Sequence, residues 1–144
     1  MNNLYLDIEN IIDNNIPLIS NLANVSALLN KLDDINWVGF YLVKNDFLYL
    51  GPFQGDVACT IIKKGKGVCG TSLKKRETII VDDVTKIKNH IACSSKTRSE
   101  IVVPILKNKK VVALIDVDST SLSRFTNNEK EFLEKVAVLL SKLF

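Results

Sequence analysis

Three cysteines, Cys59, Cys69 and Cys93, and a set of acidic and basic side chains around the last of them define the chemistry open to this chain. Cys93 sits in HIACSSKTRSE, with His90, Lys96, Arg98 and Glu100 close in sequence. Cations beside a thiol lower its pKa and enrich the nucleophilic thiolate. A free cysteine is usually a buried small hydrophobe, but this neighbourhood reads as a polar loop, which favours a reactive thiol. Cys59 and Cys69 lie in GPFQGDVAC and KGKGVCGT, where glycine comes close to sulfur, and DVDS adds Asp116 and Asp118 downstream. Thiols, base-like groups and paired carboxylates in one small chain point to redox chemistry on sulfur.

Asp116 and Asp118 follow the apolar run VVALI. Alternation along a strand would put both on one face, ~6.6 Å apart at roughly 3.3 Å per residue. A neighbour of like charge raises a carboxyl pKa, which suits one of the pair to donate a proton. The commoner fate of an Asp pair at a strand end is turn and helix-cap chemistry, here ahead of Ser119 and Thr120. Glu100 has a similar plain reading as a solvated strand-entry residue. Trp37 and Tyr41, four apart, share a strand face with Gly39 between them, whose missing side chain predicts a hollow suited to a methyl-sulfur end. Ordinary core packing is the default for such aromatics. Gly65, Gly67 and Gly70 spell GxGxxG in mid-chain without a βαβ context, which marks a turn and a helix start near Cys69 and not a dinucleotide site.

The elements that must position these groups follow from periodicity. A chain of 144 residues is of single-domain size and can bury roughly 68–70% of its unfolded surface, so no disulfide framework is needed. With 47% hydrophobic and 24% charged residues it has the composition of a soluble globular protein. A net charge of +3, carried by scattered or short basic runs, gives nucleic-acid binding little support. No basic leader precedes an apolar run and no stretch approaches a membrane span, so a cytoplasmic protein is expected. Three cysteines in a reducing compartment read as reactive, metal-binding or buried thiols. A zinc site from Cys59, Cys69, Cys93 and His90 lacks the CxxC knuckle, so neither a metal nor a cofactor is expected.

Leu4, Ile8, Ile11 and Ile12 keep helical spacing, Pro17 interrupts, and Ile19 to Leu32 resume it. The runs INWVGFYLV and FLYLGPF, split by Lys44-Asn45-Asp46, predict a hairpin. Strands are expected over Cys59–Ile62, Thr78–Val81, Glu100–Leu106 and Val111–Val117, with a short helix from Cys69 to Arg76. Thr126 and Glu129 form a capping-box pattern ahead of the stripe Phe132, Val136, Leu139, Leu140 and Leu143, which predicts a closing helix. The order predicts an α+β fold over residues 1–144, one domain whose central antiparallel sheet is covered by N- and C-terminal helices.

Six short motifs, NWVGFYL, LGPFQG, KGVCGT, HIAC, SEIVVPI and LIDVDS, resemble in order and interval the free methionine-(R)-sulfoxide reductases, a catalytic branch of the GAF-domain family. The match runs from about Asn21 to Phe144. The resemblance implies a GAF-like cytosolic enzyme that reduces free methionine sulfoxide with electrons from thioredoxin. It implies that Cys93 attacks the substrate, Cys59 resolves the product and Cys69 is auxiliary. Trp37, Tyr41, Glu100, Asp116 and Asp118 would line the substrate pocket. Ser94 departs from the acidic residue common after the attacking cysteine, which makes the charge around Cys93 more positive. The segment before Asn21 carries little of the signature, and a homodimer is left open. A non-catalytic GAF ligand or redox sensor is the alternative; a stand-alone sensor would need a separate effector.

The chemistry itself agrees with the resemblance. Sulfoxide reduction needs a thiolate to attack electrophilic sulfur while the departing oxygen gains protons, so one thiol and one acid are the minimum. Glu100, Asp116 and Asp118 together would also hold a free amino group.

Overall fold

Period-two alternation in WVGFYLVK, SEIVVPILK and KVVALIDVDS builds the centre of the molecule. A computed structural model describes residues 1–87 and 96–144. Along them run α1 (Asn2–Ile11), α2 (Leu18–Leu29), β1 (Trp37–Lys44), β2 (Phe47–Gln54), β3 (Ile61–Lys63), α3 (Gly67–Lys75), β4 (Ile79–Val81), a 3₁₀ turn at Val84–Lys86, β5 (Ser99–Lys107), β6 (Lys110–Ser119) and α4 (Asn127–Ser141). The strands form one sheet in the order β3-β2-β1-β6-β5-β4, and every neighbouring pair is antiparallel. This is the expected α+β fold. Among the described residues no helix is long and apolar enough to cross a membrane.

Alternation gives the sheet two different faces. Val38 and Phe40 of β1, Ile101, Val103 and Ile105 of β5, and Ala113, Ile115 and Val117 of β6 point to the terminal helices, where Leu22, Val25 and Leu29 of α2 and Leu133, Val136 and Leu140 of α4 meet them. On the opposite face Trp37, Tyr41, Val102 and Leu114 meet Val68, Cys69 and Leu73 of α3. The first face is a continuous apolar core. The second is where polar side chains intrude.

The turns take the conformations their residues permit. In the β1–β2 hairpin Asn45 adopts φ 58°, and in the β5–β6 hairpin Asn108 and Lys109 adopt φ 52° and 65°. The predicted capping box is present, with Asn128 N–H donating to Thr126 Oγ1 at 3.2 Å and Thr126 N–H to Glu129 Oε1 at 2.7 Å. Thr126→Ala is expected to cost about 1 kcal/mol and to lower the melting temperature by roughly 2–4 °C. A thermal melt by circular dichroism checks this; an unchanged midpoint would show that α4 is held by its buried face alone.

Two expectations need correction. The strand placed at Cys59–Ile62 starts at Ile61, because pairing with β2 begins at Tyr49↔Ile61. Cys59 lies in the loop before it, where side chains of β1 bond the Asp56 and Cys59 carbonyls and a backbone bond, Leu50 N–H to the Thr60 carbonyl at 3.0 Å, ties the loop to β2. The short helix runs from Gly67 to Lys75, so Cys69 sits inside its first turn, and Arg76 caps it in the left-handed conformation at φ 58°.

Candidate active site

Register in the sheet decides which groups meet. Asp118 lies across from Trp37 on β1 and from Glu100 on β5; one step along the same face, Asp116 lies across from Gly39 and Val102. Three carboxyl groups therefore converge on the apolar face beneath α3. Glu100 and Asp116 are 6% and 5% exposed, and Asp118 is half-buried. The Asp pair is part of β6 and not a turn or helix cap, which removes the commoner reading of DVDS. Like charges directly opposed on adjacent strands destabilise a sheet, so an arrangement of this kind is kept for some other use.

Cys69 hangs over the acids from α3, and its Sγ donates to Asp116 Oδ2 at 3.4 Å. The Cys69 sulfur and carboxylate oxygens of Glu100 and Asp116 all lie within 4.8 Å of one another. Such an approach of α3 to the sheet needs Gly70: a Cβ there would stand 2.5 Å from the Lys63 carbonyl oxygen. Gly39 has a different role from the one expected. A Cβ on it would meet Phe53 Cβ at 2.3 Å and the Trp37 ring at 2.8 Å. The space is filled by aromatic packing, with Trp37 stacked on Phe53 at 5.2 Å and on Tyr41 at 6.1 Å between centroids. The free space lies instead beside these rings, over the acids.

The polar ends of both aromatics reach the loop that carries Cys59. Trp37 Nε1–H donates to the Asp56 carbonyl at 3.0 Å, and Tyr41 O–H to the Cys59 carbonyl at 2.9 Å. One pair of side chains thus forms a wall of the cleft and sets the height of a cysteine-bearing loop. Trp37, Tyr41, Cys69, Glu100, Asp116 and Asp118 all line the same cleft, as do Lys66, Val57, Ala58, Ile62, Val68 and Thr97, which sequence reasoning did not single out. Lys66 had a signal, since it immediately precedes the helix start; Thr97 and the apolar wall had none. Cys93, with His90 and Ser94 beside it, lies outside the described residues.

Burial dominates the electrostatics. It raises the Asp116 carboxyl well above the usual range, and the charges of Asp118 and Glu100 raise it further. Asp118 is also raised, first by burial and then by Glu100, while hydrogen bonds from Asp116 and Thr97 oppose the rise. Burial and then the same acids hold Cys69 as a protonated thiol, and Tyr41 stays a neutral phenol for like reasons. Asp116 Oδ1 and Asp118 Oδ1 are buried and lack a hydrogen-bond partner among the described residues. A buried acceptor without a donor is costly, and a cationic group entering the cleft would satisfy both. The arrangement can bind an organic cation against carboxylates, seat an apolar group against aromatic rings and supply a proton from a carboxylic acid.

A GAF domain model matches residues 11–143, ahead of Asn21 and up to the last residue but one. The free methionine-R-sulfoxide reductase of Saccharomyces cerevisiae is 46% identical, with 96% of this chain and 82% of the relative covered. Among solved structures, the fRMsr of Staphylococcus aureus in its reduced form superposes with TM-score 0.92 at 47% identity, covering 97% of this chain and 92% of that one. A free methionine-R-sulfoxide reductase from Neisseria meningitidis in complex with its substrate gives TM-score 0.93 at 41% identity, covering 98% and 86%. The carboxyl-lined cleft thus sits in a chain similar to these proteins over nearly all of its own length, and the chain belongs to the GAF-domain family and, within it, to the free methionine-R-sulfoxide reductases.

Proposed function

We propose that residues 1–144 act as one catalytic domain that reduces free L-methionine-(R)-sulfoxide to methionine. The convergence of Glu100, Asp116 and Asp118, with two unpartnered buried oxygens, carries this reading, because it fits the α-ammonium group that only a free amino acid offers. Lys66 at the rim and the open N–H groups of the first turn of α3 suit the α-carboxylate. Trp37 and Tyr41 give the apolar wall for the methyl-sulfur end.

The Cys93 thiolate attacks the sulfoxide sulfur, and the oxygen passes to cysteine with protons from the carboxyl set, giving methionine and a sulfenic acid. The Cys59 thiol then displaces water from the sulfenic acid to form a disulfide. A thioredoxin dithiol reduces that disulfide and restores both thiols. Cys69 is auxiliary: its sulfur is a protonated, buried donor to Asp116 and a poor nucleophile in that state. The need for an external dithiol places the reaction in a reducing cytosol, and a homodimer is compatible with it.

A thioredoxin-coupled turnover assay tests the reading. Free methionine-R-sulfoxide is expected to turn over, and the N-acetylated substrate to be poorer in kcat/KM by a factor on the order of 10³–10⁴, since desolvated carboxylates would be left without their cation. Equal rates on both substrates, or a preference for the S epimer, would remove the ammonium-binding role. No turnover at all, with intact fold, would return the chain to the sensor reading.

A further inference from the structure

On the floor of the cleft a sulfur and two carboxyl groups stand at the spacing of metal ligands. Cys69 Sγ and one carboxylate oxygen each from Glu100 and Asp116 lie within 4.8 Å of one another, and the three residues are 4%, 6% and 5% exposed. Ligands at roughly 2.0–2.3 Å around a tetrahedral zinc-type ion stand ~3.3–3.6 Å apart. The 3.4 Å between Cys69 Sγ and Asp116 Oδ2 is already one edge of such a tetrahedron. Small side-chain rotations complete the others. The groups come from α3, β5 and β6, which the β5–β6 register and the close approach at Gly70 hold together.

A cluster of acids alone would be no more than a crowded strand end. Two further observations point to a cation. Asp116 Oδ1 is buried in the cleft lining and accepts no hydrogen bond among the described residues, and Asp118 Oδ1 beside it is in the same condition. The group above them is a thiol, which gives a carboxylate only a weak hydrogen bond but, as a thiolate, binds a borderline-soft ion firmly. Among the described residues the lining carries three carboxyl groups against one basic side chain, Lys66, so ionising the acids calls for further positive charge.

We infer that Cys69, Glu100 and Asp116 bind one thiophilic divalent cation of the zinc class, seated where the substrate's ammonium group would lie, so that ion and substrate exclude each other. Binding sends the Cys69 proton to solvent and leaves a thiolate and two carboxylates on the ion, with a fourth position open toward Asp118. Hard ions such as magnesium and calcium, which take oxygen ligands, gain nothing from the sulfur. The set shares only Cys69 with the combination of Cys59, Cys69, Cys93 and His90 that spacing disfavours. The exclusion of substrate rests on the proposed reduction of a free amino acid; the ion site does not.

The test uses the full chain carrying Cys59→Ser and Cys93→Ser, which leaves Cys69 as its one thiol. Titration with Cd²⁺ alone is expected to raise a sulfur-to-metal charge-transfer band in the ultraviolet that saturates at one ion per chain. Adding Glu100→Gln or Asp116→Asn to that background is expected to weaken Cd²⁺ binding by roughly tenfold to a hundredfold, and adding Cys69→Ala to abolish the band. X-ray absorption of the Zn²⁺ form is expected to show one sulfur at about 2.3 Å and oxygens at about 2.0–2.2 Å. No band, or a band of undiminished affinity in both acid variants, overturns the site. If the acid variants do not fold, a zinc shell without sulfur overturns it equally. Free methionine-R-sulfoxide in excess is expected to raise the apparent Kd for Cd²⁺ in proportion to its concentration, and its N-acetyl derivative to leave that Kd unchanged. Binding of Cd²⁺ that neither compound affects upholds the ion site and defeats the placing of the ammonium group there.

Discussion

Cys93→Ser is expected to release no methionine, even in a single turnover without reductant, whereas Cys59→Ser releases about one equivalent per site and then stops. The difference follows from the order of bond changes. In the proposed mechanism, attack on the sulfoxide sulfur and departure of methionine precede any role for a second thiol, so losing the proposed resolving cysteine would leave the first turnover whole and remove thioredoxin-driven cycling. Cys69→Ser is expected to retain most of the activity. Burial keeps the Cys69 thiol protonated, and a serine hydroxyl can still donate to Asp116 from the same place. Rapid-quench measurement of methionine against enzyme concentration distinguishes the three variants. A full first turnover in Cys93→Ser would reject it as the attacking thiol. Loss of the first turnover in folded Cys59→Ser would reject its assignment as resolver.

Long-range pairing explains what could and could not be read from the sequence. The hairpins were legible because turn residues and alternation are local, and the capping box because its partners are three residues apart. Alternation also put Asp116 and Asp118 on one face. It could not tell that Glu100 would stand directly across from Asp118, since that depends on the register of β5 against β6, fixed by the Asn108-Lys109 turn and an irregularity at Ile105/Leu106. The hollow assigned to Gly39 failed for a related reason: Phe53, brought alongside by the β1–β2 pairing, takes the room a side chain would have used. Cys59 read as a strand residue because Ile61 and Ile62 follow it, yet its loop is set by Trp37 and Tyr41, partners about twenty residues away. Thr97 carried no local signal at all. Its place in the cleft depends on Asn36, sixty-one residues away at the entry to β1, which donates to its hydroxyl.

Asp118→Asn and Glu100→Gln are each expected to lower single-turnover methionine formation by ~10²–10⁴-fold, the usual value of proton transfer from a positioned group. In the proposed mechanism either amide removes charge that would hold the substrate and disturbs the protonation of the whole set. The same substitutions carry a stability signature that separates function from structure. The Asp116 and Asp118 carboxyls are raised on folding, so their contribution favours the native state below the ordinary aspartate range and is lost as pH rises through the raised values. At neutral pH the wild type therefore bears a cluster that opposes folding. Asp118→Asn relieves part of it, and its melting temperature is expected to equal or exceed that of wild type at pH 7. The difference should shrink as both are acidified toward pH 4, where the native carboxyl is already protonated. Catalytic loss with unchanged or raised stability is the pattern of a site that trades stability for activity. Wild-type first turnover in folded Asp118→Asn and Glu100→Gln would instead make both residues plain strand-end acids. A large drop in melting temperature would mean that the carboxylates hold the strands together, against the sign that their burial and mutual repulsion dictate.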